Sequence, residues 1–418
     1  MTHSESLIPL SPAQAAHFVW ADEGAAQKVM AALEAAAPGA SRFVGGCVRD
    51  SLFGQTPKDI DIATQLTPDA VTTAMHEAGL GAAPTGVEHG TITGIADHVG
   101  VEVTTLRADV STDGRRATVA FTDDWATDAA RRDFTMNALY LTPDKKLYDP
   151  VNGLPDAENS VVRFIGAAEM RIKEDYLRIL RFFRFSARFA QDFDAAGLEA
   201  CNALKGGMAG LSAERIGDEF TKILSLPAAA NAVAAMERTG VLSMVWPRPA
   251  DVSLLQALKE RDAAAPPELA LAALFGDRDR DSDNKTIDTA LRLSKAFAER
   301  RKAAVKNAAL IDADMSDKDA RATLYRLGVE SWSDAVALAQ ARARGGDDTW
   351  RRLRKLPDSW RPPTFCIGGK DVLALGVPKG PQVADVLKRV EDRWIEEDFP
   401  DAARARALLV EAVEALQS

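Results

Sequence analysis

The run Phe43-Val44-Gly45-Gly46-Cys47-Val48-Arg49-Asp50, followed by Asp59-Ile60-Asp61, places a glycine pair, an arginine and two acids inside twenty residues. Glycines at a strand-to-helix turn let the backbone approach a ligand closely, and the helix N-terminus offers free N–H groups to an anion. Arg49, one turn into that helix, is placed to clamp phosphate oxygens. Asp59 and Asp61 lie two apart in a charged/apolar alternation, which projects both from one strand face. Hard carboxylate oxygens on one face suit Mg²⁺ whose other ligands are water and nucleotide phosphates. Such ions activate an attacking hydroxyl and stabilise a pyrophosphate leaving group. Taken singly, Gly-Gly near Arg is commonplace and Asp-x-Asp is most often a solvated strand face. In the order strand, turn, helix, strand, the combination is specific.

Two further constellations follow. Arg131-Arg132-Asp133-Phe134-Thr135-Met136-Asn137 sets two cations and an acid beside an apolar segment; alone it reads as a surface charge pair capping a strand. From Glu174-Asp175 onward, Arg178, Arg181, Arg184 and Arg188 recur at helical spacing among Phe182, Phe183 and Phe185. At 100° per residue, Glu174, Arg178, Arg181 and Arg188 fall within about 80° of one helix face, flanked by Asp175 and Arg184. Ile179, Leu180 and Phe183 form the packed side. A salt-bridged surface helix is the ordinary reading of such a row, but four arginines exceed what it needs. An Asp/Arg row can offer donors and acceptors to a base, with arginine left for a triphosphate.

The elements that must position these residues are α/β over the first 150 residues and helical afterwards. A helix is expected at about 13–37, a strand at 41–44, a helix at 47–53, a half-buried strand at 59–63 and a helix at 67–78. A hairpin is expected from 91–96 and 101–106, with short strands at 137–141 and 146–148. Helices follow at about 168–190, 195–205, 212–225, 228–239, 252–262 and 267–275 and onward to the C-terminus. Asp277–Lys285 reads as a surface loop, and residues 357–370, with their prolines and Gly368-Gly369, as a second break.

The chain has 418 residues, 46% hydrophobic and 27% charged, which suits a globular fold of two to four domains. No apolar run approaches the roughly 20 residues of a membrane span, and MTHSESLIPL lacks the pattern of a secretory signal. Cys47, Cys201 and Cys366 are far apart, so neither a disulfide partner nor a CxxC zinc site is expected, and a cytoplasmic location is. Five histidines without HExxH exclude a histidine-rich metal site. The net charge of −10 opposes bulk-charge binding to nucleic acid. Residues 1–150 carry 11 Lys and Arg against 20 Asp and Glu, whereas 251–418 carry 28 against 29, leaving room for local basic patches. One such row is Arg342, Arg344, Arg351, Arg352, Arg354, Lys355 and Arg361, either a solvated helix or a dock for RNA phosphates. His89 reads as a turn residue and Cys47 as a small buried one.

Together, VGGCVRD…KDIDIAT, VEVTTLRADVSTDGRR, RRDFTMNALY, EDYLRILRFFRFSARF and SAERIGDEFTKIL resemble class II tRNA nucleotidyltransferases. These are the bacterial-type CCA-adding enzymes and their poly(A) polymerase relatives, in the polymerase-beta-like nucleotidyltransferase superfamily. The resemblance covers residues 41–225 and continues weakly at Ile367–Gly376. It implies that Asp59 and Asp61 are catalytic and bind Mg²⁺; Glu102 sits where the superfamily often keeps a third carboxylate, and reads equally well as a strand-edge surface residue. It implies nucleotide contacts from Gly46, Arg49, Arg132, Asp175, Arg178, Arg181 and Arg184, with Asp175 and Arg178 pairing with the base edge. Residues 107–116 correspond to a flexible loop that members need for the final adenosine. The implied fold is an α+β head around a mixed, mostly antiparallel sheet (1–155), then an all-α neck (156–240), body (241–345) and tail (346–418), the tail binding tRNA. The implied reaction adds C, C and A to tRNA from CTP and ATP without a template, releasing pyrophosphate. Poly(A) synthesis, partial addition of A alone, and noncatalytic RNA binding are the alternatives. The first lacks the basic, aromatic signature such polymerases carry after the glycine turn. The Asp113-Gly114-Arg115-Arg116 loop opposes CC-only addition, and the intact Asp-x-Asp opposes a noncatalytic role.

Overall fold

The structure, a computed structural model, describes residues 6–113, 116–276, 285–343 and 347–417. It divides into two compact units, Met1–Pro247 and Arg248–Ser418.

Among the described residues the first unit is built on ten strands: β1 (Leu7–Pro9), β2 (Ser41–Val44), β3 (Asp61–Thr64), β4 (Gly81–Gly86), β5 (Thr91–Ala96), β6 (Val99–Thr105), β7 (Arg107–Asp113), β8 (Arg116–Phe121), β9 (Tyr140–Leu141) and β10 (Lys146–Tyr148). Eight form one sheet in the order β1-β10-β9-β2-β3-β6-β5-β4, and β7 and β8 pair separately. Every pairing in the large sheet is antiparallel except β3 with β6. The mixed, mostly antiparallel head and the helical remainder are as expected from sequence.

The expected half-buried strand at 59–63 is different in kind. β3 begins at Asp61, and Ile62, Ala63 and Thr64 are all buried, because β2 and β6 flank it and both sheet faces are covered. Only Asp61, at the strand's start, stays partly open, and Asp59 precedes the strand. The helices Gly24–Ala36 and Pro68–Glu77 close on the sheet at Gly94, where a Cβ would stand 3.2 Å from the Val29 methyls and 3.0 Å from Met75 Sδ. The single helix expected at 13–37 is interrupted: a 3₁₀ segment, Ala16–Asp22, gives way at extended Glu23 to Gly24–Ala36.

Three other expectations are corrected. The helix expected at 168–190 is two, Ala168–Glu174 and Leu177–Phe189, separated at Asp175 (φ −154°, ψ 105°). There the Asp175 carboxylate accepts the Leu177 N–H at 3.1 Å, a side chain replacing helical backbone bonding. Asn137, expected in a strand, ends a 3₁₀ turn, Thr135–Asn137, because Asp133 Oδ1 accepts from the Phe134 N–H and from Asn137 Nδ2. The expected loop at 107–116 is mostly β7 and the start of β8, while Gly114 and Arg115 lie outside the described residues.

The second unit is helical. One core surrounds Trp332, with Leu258, Leu269, Leu324 and Leu353, and another surrounds Trp394, with Val390, Leu408 and Val413. The expected break at 357–370 starts later, since Asp347–Ser359 is helical through Pro357. The expected loop 277–285 lies outside the described residues but for Lys285, as does Arg344 of the basic row. Among the described residues no helix is long and apolar enough to cross a membrane.

Candidate active site

β2 runs into Gly45, whose φ of +73° is the left-handed region that glycine enters without penalty. A Cβ there would lie 3.3 Å from Arg132 Nη1 and 3.6 Å from the Asn137 carbonyl oxygen. The turn thus brings the helix Gly46–Leu52 against the Arg131–Asn137 segment.

Arg49 leaves that helix as a buried guanidinium. It donates from Nε to Asp50 Oδ1 at 2.8 Å and from Nη1 to Asn137 Oδ1 at 2.6 Å, and it lies over the Phe189 ring at 4.5 Å. Burial lowers its pKa, with Asp50 opposing. Asp128, from the short helix Trp125–Ala130, gathers Arg131 Nε at 3.0 Å, Arg132 Nη2 at 3.1 Å and the Tyr140 hydroxyl at 2.8 Å. Burial pushes Asp128 up, but Arg132 and Arg131 hold it down at about 2. Arg132 is thereby fixed beside the glycine turn as a permanent cation.

Asp133 is buried and accepts from Arg181 Nε at 2.7 Å. Burial works against its charge, yet the Arg181 cation and the Asn137 amide hold its pKa below the usual range. On the helix Leu177–Phe189, Arg178 donates to Glu174 Oε2 at 2.6 Å and to the Arg131 carbonyl at 2.9 Å. Asp175 accepts from Arg215 Nη2 at 2.7 Å. These side chains share one cavity of about 420 Å³, lined by Gly45, Gly46, Arg49, Asp61, Arg131, Arg132, Asp133, Asn137, Asp175, Arg178, Arg181 and Phe185. Of the expected nucleotide contacts, Arg184 is not in that lining. It points to buried Glu219, which its Nε reaches directly.

Asp61 also lines a second cavity, of about 600 Å³, together with Asp59, Glu102, Lys58 and Trp20. Asp61 and Glu102 are register partners across the parallel β3–β6 pair. Burial first, then repulsion from Glu102 and Asp59, pushes Asp61 up to about 6, against Arg132 and Arg49. Among the described residues no three His, Cys, Asp or Glu side chains form a closed metal cluster. The donor set still fits a hard divalent cation that keeps water and phosphate ligands. It consists of carboxylate oxygens only, of like charge, and no protein cation ion-pairs with them among the described residues.

Sequence reasoning overlooked Asp50, Asp128, Asn137, Arg215 and Glu219 as partners of these groups. Asp128 carried a signal, standing three and four residues before Arg131 and Arg132. Arg215 and Glu219 lie 40 and 35 residues from Asp175 and Arg184, beyond any local pattern.

Comparison with known proteins agrees with this architecture. The poly A polymerase head domain family matches residues 41–163, and a family described as the probable RNA- and SrmB-binding site of polymerase A matches residues 193–251. The mitochondrial CCA tRNA nucleotidyltransferase 1 of Mus musculus is 36% identical over 84% of this chain and 82% of its own length. That of Danio rerio is 34% identical over 84% and 83%. The crystal structure of the Bacillus stearothermophilus CCA-adding enzyme in complex with CTP superposes with a TM-score of 0.74, 25% identity and coverage of 94% of this chain and 98% of that one. The Thermotoga maritima CCA-adding enzyme complexed with tRNA has the same fold, with a TM-score of 0.66, 19% identity and coverage of 93% and 94%. With relatives this similar over most of both chains, and a head built on the same plan, the chain belongs to the class II CCA tRNA nucleotidyltransferase and poly(A) polymerase family, a nucleotidyltransferase family that uses a divalent metal.

Proposed function

We propose that the two cavities meeting at Asp61 divide the work of template-independent CCA addition to tRNA. The chain is a CCA-adding tRNA nucleotidyltransferase by its likeness, at 34–36% identity over 84% of its length, to enzymes of that name. The observation that carries the residue assignment is the cavity lined by Gly46, Arg49, Arg132, Asp175, Arg178 and Arg181, with Asp61 at its wall. Arg49, Arg131, Arg132 and Arg181 around one opening suit a triphosphate, and the Asp175/Arg178 pair in the same lining suits a base edge.

In this reading Asp59 and Asp61, with Glu102 beside them, would hold Mg²⁺, which when bound supplies activation of the terminal ribose hydroxyl and charge neutralisation of pyrophosphate. Arg132, locked by Asp128, stabilises charge that develops on the phosphates. Arg49 and Gly46 orient the phosphates and sugar. Asp175 accepts from the exocyclic amine of cytosine or adenine, and Arg178 donates to ring acceptors. Most of the rate gain comes from positioning and electrostatics. Arg184 acts on the nucleotide through its place on the same helix, with Glu219 as its direct partner.

The division into head 1–155, neck 156–240, body 241–345 and tail 346–418, with tRNA held by the tail, belongs to the same proposal, as does a cytoplasmic location. The mouse and zebrafish relatives are named as mitochondrial.

The test is incubation of the purified protein and Mg²⁺ with tRNA lacking CCA and each labelled nucleotide. Addition of two C and one A, then termination, supports the reading. An A tail of indefinite length identifies poly(A) synthesis, A only on tRNA ending in CC identifies partial addition, and no incorporation rejects catalysis.

A further inference from the structure

Asn137 stands between two oppositely charged buried groups. Its carbonyl Oδ1 accepts from Arg49 Nη1 at 2.6 Å, and its Nδ2 donates to Asp133 Oδ1 at 2.9 Å. The chemistry fixes the amide's orientation, since a guanidinium only donates and a carboxylate only accepts. Asp133 spends its other oxygen on Arg181, and Arg49 spends its Nε and Nη2 on Asp50. The turn that carries Asn137 is itself clamped: Thr135 Oγ1 donates to Asp156 at 2.6 Å, and a Cβ at Gly153 would come within 2.2 Å of the Thr135 carbonyl oxygen.

We propose that Asn137 is a positioning residue, a neutral spacer that keeps Arg49 and Asp133 from pairing with each other so that Arg49 and Arg181 both face the nucleotide cavity. Arg49 and Asp133 attract. In a buried setting, a direct pair between them would be strong and would draw both groups together. Arg181 would then share its carboxylate, and the Arg49 guanidinium would be spent on Asp133, which lines the same cavity, instead of on a ligand in it. The amide satisfies each ion with one hydrogen bond while holding them a side chain apart. The role rests on reading this cavity as the nucleotide site. It predicts an effect on the triphosphate and sugar, common to every nucleotide, and none on base choice, which falls to Asp175 and Arg178.

The experiment uses the full-length protein and its variants N137D, N137S and the exchange D133N/N137D. CTP and ATP affinities are measured by equilibrium binding, alongside kcat, KM, the CTP-to-UTP preference and the melting temperature. N137D sets a second carboxylate beside Asp133 and gives Arg49 a second acid besides Asp50, on the cavity side, so CTP and ATP affinities both fall about tenfold or more, with the CTP-to-UTP preference unchanged. N137S, which keeps a hydroxyl and no charge, falls less. The exchange restores the charge count but leaves the acid directly on Arg49, so it stays as weak as N137D. CTP and ATP affinities at the wild-type level in a folded N137D, or in a folded exchange variant, overturn the proposal. If N137D does not fold, N137S decides: wild-type affinity in a folded N137S also overturns it. Wild-type protein that fails to bind CTP or ATP at all refutes the nucleotide site itself, a result distinguishable from variants that merely match an active wild type.

Discussion

Asp61 and Glu102 are register partners on adjacent parallel strands, and the repulsion between them, added to burial, lifts Asp61 from 3.8 to about 6. A carboxyl raised in the folded state contributes its stability fully below 3.8 and loses it as pH rises through about 6. At neutral pH, without divalent metal, ionised Asp61 therefore penalises the fold. Asp61→Asn is expected to melt about 2–4 °C above wild type at neutral pH, with the gap closing as the pH falls from about 6 to 3.8. Mg²⁺ should raise the wild-type melting temperature and leave the variant nearly unmoved. Thermal melts across pH, with and without Mg²⁺, check both; equal melting temperatures at all pH values contradict the strained carboxylate.

The same carboxylates should be indispensable for turnover. Asp59→Ala and Asp61→Ala are each expected to lower kcat for both C and A addition by about a hundredfold or more, since several kcal/mol of transition-state stabilisation is lost. tRNA affinity should stay near wild type. Near-normal turnover with saturating nucleotide in either variant removes that residue from the metal site.

Base choice is assigned to a carboxylate with two protein partners, the Leu177 N–H and Arg215. Uracil would face Asp175 with a carbonyl instead of an amine and leave a polar pair unmatched, at a cost of about 1–3 kcal/mol. Asp175→Ala should lower kcat/KM for CTP and ATP and narrow their advantage over UTP by about fivefold to a hundredfold. Arg215→Ala should narrow it less, because the Leu177 N–H still orients the carboxylate. An unchanged CTP-to-UTP ratio in Asp175→Ala means that this residue does not read the base.

Much of this was legible in the sequence, and what was not has identifiable causes. The glycine turn and the helical character on either side of Asp175 announced themselves through local spacing, though as one helix and not two. β4, Gly81–Gly86, did not, because an edge strand containing Gly, Ala and Pro84 lacks alternation, and its register shifts between Ala83 and Gly86. Helical periodicity ran straight through Asp175, since the apolar pattern on either side stays in phase, and the break is made by one side-chain hydrogen bond. The arginines of the helix Leu177–Phe189 were read as a ligand-facing row. In the structure each has its own acid, Glu174, Asp133, Glu219 and Asp50, and three of these come from distant segments. Tertiary pairing of that kind leaves no periodic trace.

The basic row of the second unit offers a test that leaves the cores intact. Trp350 and Leu353 of the helix Asp347–Ser359 are buried in the Trp332 core, so removing that helix would unfold its surroundings. Arg351, Lys355 and Arg361 are exposed instead, and among the described residues Arg351 ion-pairs with a local acid, Asp348, at 3.0 Å. An exposed pair of that sort is worth little, so replacing these three by alanine should leave the melting temperature nearly unchanged. If the row docks tRNA phosphates, each lost contact releases one fewer counterion, and the slope of log affinity against log salt flattens by about 0.9 per contact. The triple variant should therefore bind tRNA more weakly at low salt, approach wild type as salt rises, and keep its KM for CTP. Filter binding of tRNA over a salt series, with CTP kinetics on the same preparations, gives both numbers. An unchanged slope would assign the row to solvation and place the RNA surface elsewhere on the chain.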